Sequence, residues 1–363
     1  MIVLAALLAA VVSASLTYIV RRFALNKSIV DRASFAPERK IHTHPTPLLG
    51  GVGIFLSFTI VAWGIALFTH QLFGGFFLPK YLVGMTLGGL VLMVGGIWDD
   101  RKHLLPRQQI WFPIIAAFII VLSGIGISYI TNPLGPAISL SRFTWTVFTY
   151  HGVPYHFILF ADLFTFLWLL ATTYTTKILD GLDGLVAGVT TIGGIIIAVL
   201  SLTKDVAQPE TAILAVILAG AAFGFLLWNW HPAKIFLGES GSTYTGFLLG
   251  TLAVVAGGKI ATALLILGIP ALDVAWSILR RLLGHRKATS GDRGHLHYRL
   301  LDVGLTHRQV VLLLYTITAV FGSFTLVTRG EQKVYALVIL VAVMLLLASA
   351  VVLAYQRTPE RKP

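Results

Sequence analysis

Two aspartates, Asp180 and Asp183, lie in the stretch KILDGLDGLVAG (177–188), where an apolar segment ends. At a spacing of three residues they share one face if the stretch is helical, and carboxylates that close repel unless a cation lies between them. The glycines Gly181 and Gly184 have no Cβ, so backbone or a ligand can approach closely. Carboxylates at a membrane boundary are costly and usually functional, so we interpret this pair as functional.

Three further carboxylates stand in short polar stretches. Asp99 and Asp100 lie in GGIWDDRKHLLPRQQIW, where adjacent acids either cap a helix in a solvated loop or bind a ligand. Glu239 lies in FLGESGS, just before another apolar segment. Gly-Ser turns open many helices, but the small residues here can also offer amides and hydroxyls to a phosphate at a helix N-terminus. They are Gly238, Ser240, Gly241 and Ser242.

Basic and amide side chains accompany the acids. The stretch HLHYR contains basic side chains at every second position: His295, His297 and Arg299. In a strand they would lie on one face and could bind a ligand together, whereas in a solvated loop the spacing would indicate no function. Asn229, in NWHPAKIF, is either a plain helix C-cap or a ligand-binding amide. A zinc site is disfavoured because the neighbouring acids suit a hard ion such as Mg²⁺, with Mn²⁺ as the alternative.

The combination indicates phosphoryl transfer. Carboxylates hold Mg²⁺, which usually takes phosphate oxygens as its other ligands. Cationic side chains and amides then neutralise a diphosphate, and in such reactions positioning and charge neutralisation do most of the catalytic work. Because all the motifs adjoin apolar segments, we expect one substrate to be a lipid.

The composition is that of a membrane protein. The chain of 363 residues is 56% hydrophobic and 12% charged, with a mean hydropathy of +0.85. A soluble domain carries roughly twice that share of charged residues. Cysteine is absent, which excludes a disulfide framework, a thiolate nucleophile and a Cys-ligated metal.

Apolar stretches long enough to cross a membrane, about 17–25 residues each, predict an all-α protein with about eleven transmembrane helices. The first is followed by RRFALNK and lacks a cleavage site of small residues, so we expect a retained helix and not a removed signal peptide. The segments are about 2–20, 48–69, 81–98, 110–130, 157–177, 185–203, 211–229, 243–257, 259–281, 309–328 and 333–355.

The basic residues predict the orientation, because cytoplasmic loops are enriched in Lys and Arg. With the N-terminus outside and the C-terminus in the cytoplasm, all but six of the 27 basic residues fall on the cytoplasmic side. A basic face toward anionic lipids explains the net charge of +12 without nucleic acid. All the polar motifs then lie in cytoplasmic loops of one membrane domain, 1–363: about 21–47, 99–109, 178–184, 230–242 and 282–308. The outer stretch 132–157 predicts a turn-rich cap or hairpin.

Five motifs, in this order and between spans, resemble the polyprenyl-phosphate N-acetylhexosamine-1-phosphate transferases. They are RKIHTHPTPLLGG, GGIWDDRKHL, ILDGLDGL, WNWHPAKIFLGESGS and HLHYRLLDVGLTHRQ, which cover nearly the whole chain. The resemblance implies transfer from a UDP-N-acetylhexosamine to a membrane polyprenyl phosphate with release of UMP, dependent on Mg²⁺. It also implies ten or eleven helices in the cytoplasmic (inner) membrane, a bent ninth helix near Pro270, a cytoplasmic active site and a homodimer.

The resemblance implies roles for the five acids. Asp99 and Asp100 match the family's Asp-Asp pair, which engages or deprotonates the lipid phosphate. Asp180 and Asp183 match the acids of the DGLDG motif, and Asp183 is the better candidate for the metal. Glu239 stands where the family usually has the Asp that binds Mg²⁺.

The remaining site residues are expected to bind substrate. The resemblance relates Asn229 to the nucleotide, and His295, His297 and Arg299 to the diphosphate of the sugar nucleotide. We also assign Lys40, in the first motif, to substrate binding.

Three residues depart from the family pattern. Glu239 keeps the charge of the usual Asp but adds a methylene, and Mg²⁺ tolerates misplaced ligands poorly. Lys177 replaces a common Asn, so it is expected to pair with Asp180 or to contact phosphate. Tyr298 replaces a third His. The form of the last motif resembles members that transfer N-acetylglucosamine phosphate for surface glycans, so we expect UDP-GlcNAc as the donor.

Other functions remain alternatives. UDP-MurNAc-pentapeptide as the donor keeps the same reaction. A lipid or solute transporter usually has repeated halves with midplane sites, and the sequence shows no internal repeat. A CDP-alcohol phosphotransferase is disfavoured because its Asp-Gly-x-x-Ala-Arg signature is missing. A catalytically inactive scaffold is a further alternative, because of the unusual Glu239.

Overall fold

The computed structural model describes residues 1–31, 45–69, 71–73, 75, 77–130, 132, 138–150, 153–257, 260–283, 295–328 and 331–357. Helices dominate these ranges. They are α1 (Ile2–Asn26), α2 (Gly50–Thr69), α3 (Pro79–Lys102), α4 (Pro106–Gln109), α5 (Trp111–Ser123), α6 (Leu159–Leu179), α7 (Leu185–Ser201), α8 (Pro209–Asn229), α9 (Gly238–Val255), α10 (Ile260–Ile266), α11 (Gly268–Leu283), α12 (Leu296–Asp302), α13 (His307–Val327) and α14 (Glu331–Arg357).

Eight helices in the described part of the chain are long and apolar enough to cross a membrane. They are α1, α2, α3, α4 with α5, α6, α8, α13 and α14. A ninth candidate is broken, since α10 meets Pro270–Ser277 of α11 at a bend of 84°. The prediction of a bent helix near Pro270 is therefore confirmed. The chain has the architecture of a helical, multi-pass membrane protein.

Each of the eleven predicted segments coincides with a helix or with the bent pair, although α7 has only 17 residues. The fourth segment ends early. α5 stops at Ser123 because Gly124 adopts a left-handed conformation (φ 87°), which favours glycine and terminates helices. The structure contains no membrane, so the number of crossings and their direction stay predictions.

Helix α8 lies at the centre of the bundle. Its most apolar window is 78% buried, against 22% in α1 and α14, whose outer faces are exposed and apolar. Small residues bring α8 against α1: a Cβ added at Gly220 or Gly224 would lie 2.2 Å from a backbone oxygen of α1. Such close backbone contact is the usual way in which membrane helices pack. Burial of α8 fixes the loop that follows it, which forms one wall of the site.

Short strands pair in antiparallel ribbons beside the helices. Strands β1 (Val30–Asp31) and β2 (Thr46–Pro47) join the ends of a segment outside the described residues, and β3 (Tyr129–Ile130) pairs with β4 (Ile138–Ser139). Strands β5 (Thr144–Tyr150) and β6 (Val153–Ile158) form a hairpin. The predicted hairpin is confirmed, and its position outside the cell stays a prediction.

Candidate active site

One cavity of about 520 Å³ collects most of the residues singled out from the sequence. It is formed by the C-terminal ends of α3, α6 and α8, the N-terminus of α9 and the loops between them. Six carboxylates line it: Asp31, Asp99, Asp100, Asp180, Asp183 and Glu239. Asn229, Lys177 and Tyr298 line it as well. Thr46 and Leu48 of the first motif line it too, so the structure brings together all five motifs, which lie far apart in the sequence.

The aspartate pair Asp99–Asp100 lies in the last turn of α3 and contacts two different neighbours. Asp99 Oδ1 accepts hydrogen bonds from the Leu104 N–H (2.7 Å) and from Gln109 Nε2 (2.8 Å). Asp100 Oδ1 accepts one from the Glu239 N–H (3.0 Å). The other oxygen of Asp100, Oδ2, is buried and has no hydrogen-bond partner within the described ranges. A plain cap in a solvated loop does not describe this pair, because Asp100 joins α3 to the start of α9.

Glycines allow this close approach of α3 and α9. A Cβ added at Gly96 would lie 2.2 Å from the Ser240 Cα, and one at Gly238 would lie 2.5 Å from Asp100 Oδ2. Gly238 also has a φ of 76°, which side chains other than glycine rarely adopt. These glycines set the position of Glu239, which follows directly in the first turn of α9.

The DGLDG aspartates lie in a turn and not on one helix face. α6 ends at Leu179 and α7 begins at Leu185. Asp183 Oδ2 lies 2.8 Å from His231 Nδ1 and accepts a hydrogen bond from the Ala233 N–H (3.1 Å). The condition for a shared helical face is therefore not met, because α6 ends before Asp180 and α7 begins after Asp183.

The Asp180 side chain is exposed to the cavity, but the protein closely surrounds the cavity at this point, so the carboxyl is poorly solvated. This loss of solvation, together with the smaller influence of the negative charges of Glu239 and Asp183, raises the pKa of its carboxyl to about 8. Because the carboxyl faces the cavity, a cation placed there would lower the pKa again. The raised pKa therefore marks a place where the fold concentrates negative charge.

Asn229 joins two turns of the site. Its Oδ1 accepts a hydrogen bond from the Gly184 N–H (2.9 Å), and its Nδ2 donates to the Ile235 carbonyl (2.9 Å). The side chain is buried, with 6% of the residue surface exposed. A plain C-cap is thus wrong, since the amide connects the DGLDG turn with the loop before α9. Its association with a nucleotide stays a prediction.

Lys177 pairs with Glu239 and not with Asp180. Its Nζ lies 2.5 Å from Glu239 Oε1 and donates to Gln109 Oε1 (2.9 Å). The pairing follows from helix packing, because the last turn of α6 lies against α9: Thr176 Oγ1 donates to the Ser242 carbonyl (2.7 Å). The expectation of an Asp180 partner is therefore wrong.

The backbone and small side chains around Glu239 make several contacts within the protein. The Glu239 N–H is taken by Asp100, and the Ser242 hydroxyl donates to the Glu239 carbonyl (3.3 Å). Gly241 packs against Gly51 of α2, where an added Cβ would lie 2.6 Å from the Gly51 Cα. Gly238 and Ser242 nevertheless line the cavity, so the phosphate cradle at this helix N-terminus stays a prediction.

The HLHYR motif forms the helix α12, so the strand interpretation is wrong. Its first histidine, His295, is fixed from α11: Asp273 Oδ2 lies 2.9 Å from His295 Nδ1. Asp273 Oδ1 also accepts a hydrogen bond from the Leu296 N–H (2.9 Å), so Asp273 joins α11 to the start of α12. His295 is 8% exposed and does not line the cavity.

His297 is also buried, and burial lowers its pKa to about 4, with the charge of His295 as a further lowering influence. The ring is neutral near pH 7 and cannot neutralise a diphosphate as a cation. Its Nε2 approaches the DGLDG turn, since a Cβ added at Gly181 would lie 2.3 Å away. Arg299 does not line the cavity, whereas Tyr298 does. Contact of His295, His297 and Arg299 with substrate stays a prediction, and Lys40 lies outside the described residues.

Sequence reasoning missed two histidines in the site. His231 and His307 line the cavity, and their rings stack with centroids 4.0 Å apart. His307 Nε2 lies 3.2 Å from the Asp183 carbonyl oxygen. His231 lies in NWHPAKIF and His307 in GLTHRQ, both within motifs that carry the family resemblance, and that position was the available signal.

Asp183, His231 and His307 offer ligand atoms within 4.8 Å of one another, as a metal site requires. Two features argue against one here. Asp183 Oδ2 already contacts His231 Nδ1 and the Ala233 N–H, and the two imidazoles lie only 16° from parallel. Parallel stacked rings direct their nitrogens side by side and not toward one ion. We therefore describe this triad as a hydrogen-bonded cluster.

The carboxylate side of the cavity fits Mg²⁺ better. Its donors are oxygens, the ligands that this ion prefers. Asp100 Oδ2 is buried without a hydrogen-bond partner among the described residues, and Glu239 reaches the same space from α9. Carboxylates gathered this closely raise one another's pKa, and a cation among them favours their charged forms.

Comparison with known proteins relates this cavity to a family. The sequence pattern described as Glycosyl transferase family 4 matches residues 82–257. A Bacillus subtilis (strain 168) protein named "Probable undecaprenyl-phosphate N-acetylglucosaminyl 1-phosphate transferase" is 30% identical over 342 residues, which cover 92% of this chain and 87% of the relative. The chain belongs to glycosyl transferase family 4.

Other relatives carry similar names. "Decaprenyl-phosphate N-acetylglucosaminephosphotransferase" of Mycobacterium tuberculosis (strain ATCC 25618 / H37Rv) is 32% identical over 78% of this chain and 72% of its own. "Undecaprenyl-phosphate alpha-N-acetylglucosaminyl 1-phosphate transferase" of Thermotoga maritima (strain ATCC 43589 / DSM 3109 / JCM 10099 / NBRC 100826 / MSB8) is 28% identical over 80% of this chain and 78% of its own. The family match spans five of the six cavity acids and ends before α12. The family resemblance read from the motifs is confirmed.

Proposed function

We propose that this protein transfers N-acetylglucosamine-1-phosphate from UDP-GlcNAc to undecaprenyl or another polyprenyl phosphate, releasing UMP. The observation that carries the proposal is the cavity, which gathers six carboxylates and Lys177 at the ends of membrane helices. The names of the relatives support both the acceptor and the sugar. The product, a lipid diphosphate sugar, is a starting unit for surface glycans.

The bond changes assign work to the carboxylates. An oxygen of the lipid phosphate attacks the β-phosphorus of UDP-GlcNAc, the bond to the bridging oxygen breaks, and UMP leaves with that oxygen. Asp99 and Asp100 lie together in the last turn of α3, where this membrane helix borders the cavity. We place the lipid phosphate beside them, where a carboxylate can take the proton of a monoprotonated phosphate.

The other acids define the place of the donor diphosphate. We propose Glu239 as the principal Mg²⁺ ligand, with Asp180 and Asp183, which line the same cavity, as further candidates. Asp183 Oδ2 is less suited, because His231 Nδ1 and the Ala233 N–H occupy it. When bound, Mg²⁺ or Mn²⁺ supplies positive charge to the diphosphate, as in other phosphoryl transfers. Asn229, which is hydrogen-bonded to Gly184 of the DGLDG turn, also lines the cavity, and we place the nucleotide beside it.

We further propose eleven membrane crossings with the N-terminus outside, the C-terminus in the cytoplasm and the cavity at the cytoplasmic face of the inner membrane. The distribution of Lys and Arg supports this orientation. A nucleotide-sugar donor dissolved in the cytoplasm reaches a cavity on that face directly. We also propose a homodimer, as the family resemblance implies.

A donor comparison tests the function. Purified protein receives undecaprenyl phosphate, Mg²⁺ and either labelled UDP-GlcNAc or labelled UDP-MurNAc-pentapeptide, and label in the lipid phase and UMP are followed. We expect label from UDP-GlcNAc and its loss with EDTA. Transfer only from the pentapeptide donor would replace the sugar and keep the reaction. No UMP from either donor, in protein that is folded, would contradict the proposed reaction and favour a transporter or an inactive scaffold.

A further inference from the structure

Lys177 is the only Lys or Arg among the described residues that line the acidic cavity. Its side chain is 22% exposed and that of Glu239 is 19% exposed, so this ion pair is sheltered from solvent. Ion pairs with such partial burial are stronger than surface pairs, which contribute little. The ammonium therefore lies at a defined place inside the site.

The contacts of Lys177 connect two parts of the site. Nζ lies 2.5 Å from Glu239 Oε1 and donates to Gln109 Oε1 at 2.9 Å. Gln109 in turn donates through Nε2 to Asp99 Oδ1 at 2.8 Å. The Tyr174 ring centroid lies 5.6 Å from Nζ. If the ammonium leaves Glu239, Gln109 and Tyr174 remain as nearby partners for the flexible side chain.

A divalent ion on Glu239 would meet this ammonium at close range. Mg²⁺ binds carboxylate oxygens at about 2.0–2.1 Å, so an ion on Oε1 would lie at most about 4.6 Å from Nζ. Cations at that separation in a partly buried site repel strongly. The two cations therefore exclude each other at this oxygen.

We propose that Lys177 is a built-in cation that competes with the divalent ion for Glu239 and so weakens ion binding by the free protein. The inference rests on the proposed function, which names Glu239 as the ion's principal ligand. Binding of the ion releases the ammonium from Glu239 and leaves it facing the cavity, where a phosphate oxygen can accept it. Lys177 is thus a positioning residue that makes ion binding and phosphate binding favour each other.

Direct ion binding tests this proposal without turnover. Free Mn²⁺ is measured by electron paramagnetic resonance in titrations of detergent-purified protein, with no nucleotide or lipid present. We expect Lys177→Met to bind Mn²⁺ about tenfold or more tightly than the wild type, since it removes the repelling charge. Lys177→Arg keeps that charge and should bind as weakly as the wild type.

A second lysine provides the matched control. Lys234 is exposed on the loop after α8, and its ammonium lies over the Trp228 ring at 5.5 Å. Lys234→Met changes the net charge equally and should leave Mn²⁺ affinity unchanged. Thermal unfolding of each variant shows that it is folded before titration.

The outcomes separate this inference from the proposed function. Unchanged or weaker Mn²⁺ binding by folded Lys177→Met overturns the competition, and so does an equal gain in Lys234→Met. Glu239→Gln in the Lys177→Met background should abolish the gain, and persistence of the gain would place the ion elsewhere and overturn the inference. Tighter binding that depends on Glu239 supports it even if no sugar phosphate is transferred, a result that would contradict the proposed function alone.

Discussion

Each carboxylate of the cavity has its own surroundings, so the acids are not interchangeable. Asp99 accepts hydrogen bonds from the loop after α3, and Asp100 accepts one from the backbone of α9. Asp183 is held from the loop after α8, and Glu239 is paired with Lys177. Different partners hold the acids in different positions, so each can serve a different part of the reaction.

The buried His297 gives a pH-dependent stability. Its pKa is about 4 in the folded protein, whereas an unfolded histidine titrates near 6.5. As pH falls from about 6.5 to 4, the unfolded chain gains a proton that the folded protein does not, so His297 lowers the free energy of unfolding by up to about 1.4 kcal/mol per pH unit. Thermal unfolding between pH 4.5 and 7 should show a smaller loss of stability in His297→Gln.

The exposed His103 supplies the comparison for this experiment. His103→Gln should retain the wild-type dependence of unfolding temperature on pH. If His297→Gln retained it as well, the neutral state of His297 in the folded protein would be contradicted.

Asn229 should matter for stability as well as for activity. Asn229→Ala leaves the Gly184 N–H and the Ile235 carbonyl without their partner, at a cost of about 1–3 kcal/mol for each buried group. Denaturant unfolding in detergent measures the loss, with the exposed Asn26→Ala as the control. A variant as stable as the wild type would show that water replaces the amide.

At the scale of elements, the contact between α3 and α9 positions two of the acids. Gly96 lies against the Ser240 backbone, and one turn later Asp100 accepts the Glu239 N–H. A methyl group at Gly96 meets backbone atoms, which cannot rotate away as a side chain can. The separation of these two helices is therefore fixed to within the size of a methyl group.

Gly96→Ala should move α9 away from α3. We expect it to lower the free energy of unfolding by about 1–3 kcal/mol and to reduce turnover, because the Asp100–Glu239 contact is broken. Gly64 of α2 is the matched control, since an added Cβ there has nothing within 4 Å. Gly64→Ala should be neutral or stabilise by up to about 1 kcal/mol, because Ala favours helix. Equal effects of the two substitutions would contradict the account of the contact.

The sequence predicted the helices better than the side-chain contacts between them. Long apolar runs gave the helices, Pro270 gave the bent pair, and residue type gave five of the six acids of the cavity, all but Asp31. The partner of Lys177 was wrong because Asp180 is near in sequence while Glu239 is near in space. The contact between His231 and His307 was also missed, because these residues are far apart in the sequence but adjacent in space. Contacts between distant segments depend on helix packing, which periodicity within one segment does not encode.

At the scale of the whole molecule, the cavity opens where the ends of buried helices meet. The central helix α8 is shielded on several sides, whereas α1 and α14 expose apolar faces suited to lipid. This arrangement places a polar, charged space at one end of an apolar bundle. A soluble nucleotide sugar and a membrane lipid can meet at such a boundary.

The absence of cysteine makes the topology directly testable. Single cysteines at the exposed Lys27 and Lys204 are labelled in intact cells with a membrane-impermeant maleimide. The proposed orientation predicts labelling of Lys204→Cys only, and labelling of both after the membrane is opened. Labelling of Lys27→Cys in intact cells, with Lys204→Cys protected, would invert the orientation and put the cavity outside.

The most direct measurement of the central claim follows the β-phosphorus of the donor. UDP-GlcNAc carrying ³²P at the β-phosphate is incubated with the purified protein, undecaprenyl phosphate and Mg²⁺, and the label is located after phase separation. The proposed reaction moves ³²P into the lipid phase in equal amount to the UMP released. Label retained in water as UDP, with the sugar alone on the lipid, would show glycosyl transfer and contradict attack at the β-phosphorus.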